Sequence, residues 1–209
     1  SREDIADFFR RYYHPGNASL CIAGDFDPAE AKRLVEKYFG GLPGGPKVER
    51  PQPSTPTLNG EKRIRMTDRV GLSRVYFVWP TPRQLTQADA DLDVLAHVLA
   101  GRKTSRLYRM LVREKQIAQD VQAYQNGQEL TGEFMIVVTA RPGHALDEIE
   151  AVVGEEIVRI ESSPPTVEEI ARAVNSFEAQ MVRSLESVSE FGGRADRLNM
   201  YNVLAGDPG

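Results

Sequence analysis

An α+β fold is predicted from three features of the sequence. Strand candidates stand beside helix pairs and do not alternate with single helices, which argues against a doubly wound parallel sheet. Two apolar stretches, Ile117 to Tyr124 and Phe134 to Ala140, flank a polar turn at 125–133 and read as a strand pair. Helical periodicity recurs in segments that open on capping residues and close on glycine. A length of 209 residues suits one large domain, or one and a half smaller ones.

Taken in order, Ser1 and Asp4 form an S-x-x-D cap, followed by Ile5, Phe8, Phe9 and Tyr12 at helical spacing. His14-Pro15-Gly16-Asn17 ends that helix. Ala18 to Ala23 is apolar without polar alternation and reads as a strand buried on both faces. Asp25 and Asp27 offer N-caps, and Pro28 suits a first helical position. Ala31, Leu34, Val35, Tyr38 and Phe39 continue as an amphipathic helix that Gly40-Gly41 stops. Residues 43–60 hold five prolines and three glycines and read as an exposed linker. The linker parts a helix–strand–helix unit at 1–42 from a longer unit at 61–209.

The longer unit opens with two strand candidates. One is marked by Ile64 and Met66 among charges, the other by Val75, Phe77 and Trp79 and closed by Pro80 and Pro82. Thr86 to Ala100 is a helix with Leu92, Leu95, Ala96 and Leu99 on one face, broken by Gly101. Ser105 to Lys115 is a second helix, with Leu107, Met110 and Leu111 inward. After the strand pair, Leu146 to Ile160 is helical. Pro164-Pro165-Thr166 caps a long helix through about Glu190, and Gly192-Gly193 precedes a last helical stretch through Leu198 to Leu204.

Composition narrows the function classes. Hydrophobic residues make up 41% and charged residues 27%, as in globular proteins. A net charge of −4 gives no electrostatic case for nucleic acid or anionic membrane. The longest apolar runs, such as Met135 to Val138, fall far short of a membrane span. No signal-peptide pattern is read at the start, and a chain opening at Ser1 reads as mid-protein. The compartment therefore stays open, periplasmic or cytoplasmic for a bacterial source. Cys21 is the single cysteine and reads as a buried structural thiol.

The residues themselves supply no convincing active site. A catalytic zinc needs three protein ligands, and the helical forms H-E-x-x-H and H-x-x-E-H set two histidines one turn apart. His14, His97 and His144 lie far from one another. His14 reads as a turn residue, His144 as solvent-exposed. His97 with Asp93 one turn earlier has a spacing that can bind metal, but no third ligand is near, which favours a helix-face hydrogen bond or solvated pair. Gly101 to Ser105 lacks the first glycine of a P-loop and reads as a helix break. Asp89, Asp91 and Asp93 spread around a helix. Glu155-Glu156 and Glu168-Glu169 read as solvated faces or helix N-terminal charge.

Two stretches together resemble the pitrilysin/insulinase-type zinc metallopeptidases, the inverzincins. The first is F-x-x-x-Y-x-x-P-x-N-A from Phe8, followed by the apolar strand, Gly24-Asp25-Phe26-Asp27-Pro28 and KYFGGLP. The second is AHVLAGRKTSRLYRMLVREKQIAQDVQAY, residues 96 to 124. The segment is similar to the C-terminal, "inactive" domain of these peptidases. That resemblance implies a mitochondrial-processing-peptidase-like (LuxS/MPP-like) αβ sandwich, with a largely antiparallel sheet and helices on one face. It implies zinc in the parent protein, held upstream of this segment on H-x-x-E-H and a distal Glu, with no metal or catalytic residue in this chain.

The family also uses an Arg and Tyr pair from a non-zinc domain to hold substrate. Arg113 matches the arginine, while Gln119 or Asp120 stands where the tyrosine is expected and Tyr124 lies too far on. Ser105, Arg106 and Arg113 are the substrate contacts the resemblance implies. Arg113 reads equally as a helix C-terminal cation favoured by the dipole. The implied partners are an upstream zinc domain, a second half or partner subunit, and a peptide substrate, with no nucleic acid or membrane.

Because the family's domains repeat one αβ unit, residues 1–42 resemble the end of an upstream zinc-bearing domain. Residues 61–209 resemble most of the non-catalytic domain. The strand at 20–23 is then expected to dock on a sheet of this type, in cis through the linker or in trans as a swapped dimer.

Three functions follow. The first is a non-catalytic domain of a zinc metalloendopeptidase, forming part of its substrate chamber and inactive alone. The second is a scaffold or partner subunit of a processing-peptidase-like complex. The third is a peptide-binding module using a sheet edge.

Overall fold

The computed structural model describes residues 1–188 and 191–208. They fall into two compact units, Gln52–Glu178 and a second made of Ser1–Pro51 with Ala179–Gly209.

The 52–178 unit is built on a three-stranded antiparallel sheet in the order β1 (Arg74–Thr81), β3 (Gly132–Ala140), β2 (Ala118–Gly127). Val75 lies opposite Val138 and Phe77 opposite Ile136, while Val121 faces Val138 from the other side. This register puts Phe134, Ile136, Val138 and Ala140 on one face, because side chains alternate along a strand. Against that face pack α3 (Gln87–Ala100), the helix around Leu107 and Leu111, and α4 (Leu146–Ser162). Leu99, Leu107, Leu111, Ile136, Ile149, Val138 and Val153 are fully buried. The opposite face carries Tyr76, Val78 and Tyr124, all exposed, beside buried Val137 and Thr139. α+β is thus the observed class. Thr86 caps α3 through its side chain, and α5 (Val167–Ser184) follows Thr166.

Residues 105–115 are helical as expected, but Tyr108–Glu114 is a π-helix, with the Lys115 N–H donating to the Met110 carbonyl at 2.9 Å. Both Leu111 and Val112 are buried beside Leu107. The strands run further into the 125–133 turn than the polar composition suggests, because Asn126 and Glu133 still pair and hydrogen-bond at 3.1 Å.

The other unit contains α1 (Arg2–Tyr12), a 3-10 turn at Pro15–Asn17, α2 (Pro28–Phe39) and α6 (Arg194–Leu204). The capping signals of α1 and α2 are satisfied. Ser1 and Asp4 make a complete capping box, and Asp27 accepts from the N–H groups of Ala29 and Glu30. His14 sits in the turn against the linker, where a Cβ on Gly45, at φ +70°, would overlap its ring. None of α1, α2 or α6 has a buried residue.

Four expectations are corrected here. Residues 18–23 belong to no strand among the described residues, and Leu20 and Ile22 are exposed. A strand exists only with a neighbour to bond, and none is supplied. Cys21 is accordingly half-buried. Residues 61–69 form no strand either: Met66 is 88% exposed, and Arg63 instead pairs with Glu61 and Glu150. The long helix ends at Ser184, and its expected terminus, Glu190, lies outside the described residues. Residues 43–60 carry no helix or strand. Among the described residues no helix is long and apolar enough to cross a membrane.

Candidate substrate-contact region

The region begins where α3 stops. The Gly101 N–H donates to the His97 carbonyl at 2.9 Å, and a Cβ at Gly101 would come within 2.6 Å of the His97 ring. Only glycine fits that approach. The chain then turns through Arg102 to Ser105. Ser105 Oγ donates to the His97 carbonyl at 2.9 Å and accepts from the Arg102 N–H at 3.0 Å. The Ser105 side chain thereby closes the helix break from within, and the residue is buried.

Arg106 is buried too. Its Nε and Nη2 donate to the two carboxylate oxygens of Glu169 at 2.9 and 2.7 Å, a bidentate pairing. Nη1 donates to the Ser163 carbonyl at 3.0 Å and Nη2 to the Pro164 carbonyl at 3.2 Å. Glu156, 2% exposed, lies 3.5 Å from Nη1 and accepts from Arg159 at 2.9 Å. Arg106 therefore ties the start of this helix to α4 and to the loop entering α5. The guanidinium holds the Glu169 carboxyl at about 2, with further help from the Thr166 N–H.

Arg113 differs from both. It lies in the last turn of the π-helix, is exposed, and among the described residues has no ion pair or hydrogen bond. Of the three substrate-contact candidates it alone presents a free charged group. Gln119 is exposed at the end of the same segment, and Tyr124 stands on the open face of the sheet.

A cavity of about 20 Å³ lies among His97, Val98, Arg102, Thr104, Ser105, Glu169 and Arg172. That volume holds about one water molecule and no substrate side chain. The His97 ring meets Phe177 edge-on at 5.7 Å, and burial together with Arg102 and Arg172 lowers its pKa. Burial also raises the pKa of Asp93, aided by Asp89. A ring flanked by the Arg102 and Arg172 guanidinium groups is a poor donor for a dication. Among the described residues, no three His, Cys, Asp or Glu groups are placed to hold a metal. His144 is half-buried instead of solvent-exposed, 3.3 Å from Glu148.

The roles of Glu156 and Glu169 were hidden from sequence reasoning, which read both as solvated faces or helix N-terminal charge. One signal was available for each. Glu156 shares a helix face with Val152, Val153 and Ile160, and Thr166-x-x-Glu169 is a capping-box spacing.

Comparison with known proteins places this geometry. The family model described as the peptidase M16 inactive domain matches residues 1–177. The chain belongs to that family. Among curated relatives, the M16 domain is 24% identical over 196 residues to the zinc protease PqqE of Helicobacter pylori, covering 91% of this chain and 44% of the relative. It is 24% identical over 198 residues to an uncharacterized zinc protease, YmxG, of Bacillus subtilis, covering 90% of this chain and 44% of the relative. The chain thus spans less than half the length of either. A solved structure of a protease from Helicobacter pylori superposes with a TM-score of 0.81 at 22% identity, over 98% of this chain and 50% of that one. The fold of the M16 inactive domain is therefore the fold found here.

Proposed function

We propose that this M16 domain is the non-catalytic part of a zinc-dependent metalloendopeptidase and forms part of its substrate chamber. The zinc that hydrolyses the peptide is held by a domain outside this chain. The family match over residues 1–177 carries this reading. Support comes from relatives named zinc proteases that are more than twice as long. In this reading residues 1–42 complete the upstream zinc-bearing domain, 43–60 connect, and 61–209 are the non-catalytic domain.

Arg113 is the substrate contact, binding a peptide carbonyl or carboxylate with its free guanidinium. Ser105 and Arg106 act on substrate through the shape of the segment they pin. The open sheet face with Tyr76, Val78 and Tyr124 forms an apolar wall beside the peptide.

The test is peptide hydrolysis by the parent protein with and without a chelator. Chelator-sensitive cleavage is expected, and Arg113→Ala lowers kcat/KM by about tenfold, the effect of one lost charge-assisted hydrogen bond. Peptide hydrolysis that survives metal removal would sink the zinc reading. Absence of hydrolysis altogether would turn the assignment to a partner subunit.

A further inference from the structure

The dipeptide Asn-Gly occurs twice in this chain, as Asn59-Gly60 and as Asn126-Gly127. Such a pair can react with itself, because glycine has no Cβ to keep the asparagine side chain away from its backbone nitrogen. The fold treats the two copies in opposite ways.

Asn126 lies in β2, where its Nδ2 donates to Glu133 Oε1 at 3.1 Å. Gly127 pairs with Gly132 across the ladder and lies so close to Asp89 and Gln84 that a Cβ would overlap them. Bringing the Asn126 carboxamide onto the Gly127 nitrogen breaks that hydrogen bond and opens the end of the β2–β3 pair. Asn59 has neither restraint. It stands with Gly60 in a bend outside any helix or strand, and both residues are exposed. Gly60 has φ +144°, and a Cβ there would meet nothing within 4 Å. Among the described residues, neither the Asn59 carboxamide nor the Gly60 N–H makes a hydrogen bond.

We propose that Asn59 is a self-modifying site that converts to isoaspartate and aspartate in the folded chain, while Asn126 is protected. The Gly60 nitrogen gives its proton to solvent and attacks Asn59 Cγ. The new N–Cγ bond closes a succinimide ring, the Cγ–Nδ2 bond breaks, and ammonia leaves. Water then opens the ring. Opening at the Asn59 main-chain carbonyl gives isoaspartate, and opening at Cγ gives aspartate. Either product adds a carboxylate beside Glu61, which already pairs with Arg63. The isoaspartyl form also routes the main chain through the side-chain methylene. It thereby lengthens the path from the linker to Arg63, which is tied to Glu150 at 2.7 Å.

The test is to incubate the whole chain, folded, in mildly alkaline buffer and digest it with trypsin. Lys62 and Lys115 leave the two asparagines in separate peptides, and mass spectrometry reads conversion at each. Asn59 should convert at least about tenfold faster than Asn126, whose ladder must open first. In urea, with the ladder gone, the two rates should draw together. Asn59→Gln should remove the acidic species seen on isoelectric focusing, because the longer side chain closes its ring far more slowly. The position is exposed, so the variant keeps its fold, which circular dichroism verifies. Equal rates in the folded chain overturn the proposal, as does an Asn59 that stays intact when folded but converts in urea. A rate ratio unchanged by urea also overturns it, since flanking residues and not the fold would then set the difference.

Discussion

The two units of this chain obey the same local rules and reach opposite outcomes. In both, helices with an apolar stripe begin at side-chain caps: α1 and α2 in one unit, α3 in the other. α1 has a complete capping box and α2 a double acceptance by Asp27, as well formed as the Thr86 cap of α3. Yet α3 and α4 bury Leu99, Ile149 and Val153 against a sheet, whereas α1 leaves Phe8 and Phe9 about half exposed. Local propensity and capping decide where a helix lies along the chain. Burial depends on whether a second layer is present, and burial is the larger source of stability.

The contrast can be broken most severely at Arg106. Arg106→Ala takes the bidentate partner from half-buried Glu169 and leaves buried Glu156 to Arg159 alone, and should cost about 3 kcal/mol in the 52–178 unit. Urea unfolding followed by Trp79, the single tryptophan, reads that unit. The loss has a pH signature. Glu169 is held at about 2 in the folded chain against an ordinary 4.5, so its stabilisation is present above 4.5 and fades as pH falls toward 2. In Arg106→Ala this acid-induced loss should largely vanish, and an unchanged acid profile would remove Arg106 as its cause.

A matched pair of core substitutions sharpens the comparison. Leu111→Ala, at a fully buried position, should cost about 2–5 kcal/mol. Phe9→Ala, at a residue 51% exposed, should cost less than about 1 kcal/mol despite removing the larger side chain. Local exchange in α1 and urea unfolding of the sheet unit would compare them, and equal losses would refute the contrast. The smallest effect should be the same in both regions. Thr86→Ala and Asp27→Ala each remove one cap and should each cost about 1 kcal/mol, seen as increased fraying by hydrogen exchange.

Most of the secondary structure was legible, because helix caps, glycine breaks and strand alternation are written within a few neighbouring residues. The failures share one cause. Residues 18–23 have the composition of a buried strand, and 61–69 show alternation around Ile64 and Met66. Whether either pairs depends on a remote neighbour that its own composition does not specify. The π-helix escaped notice because Leu107, Leu111 and Val112 also satisfy an ordinary helical stripe. At the candidate site, the glycine break and Arg113 could be found by inspection. The partners of Arg106 could not, because Glu156 and Glu169 lie 50 and 63 residues further on and look like any other paired acids.

Pro80 has a consequence for how this chain survives its own synthesis. An exposed edge rich in valine and aromatics is a template on which misfolded copies can elongate. The Ala140 N–H donates to the Ser73 carbonyl, so in the alternating ladder Pro80 falls on the outward phase. With Pro82 two residues later, it acts as a brake. It denies the continuous backbone bonding that fibril growth requires. Replacing it with a good strand former would lengthen the sticky edge and leave the folded sheet unchanged. The change would be felt in yield and shelf life before it was felt in stability.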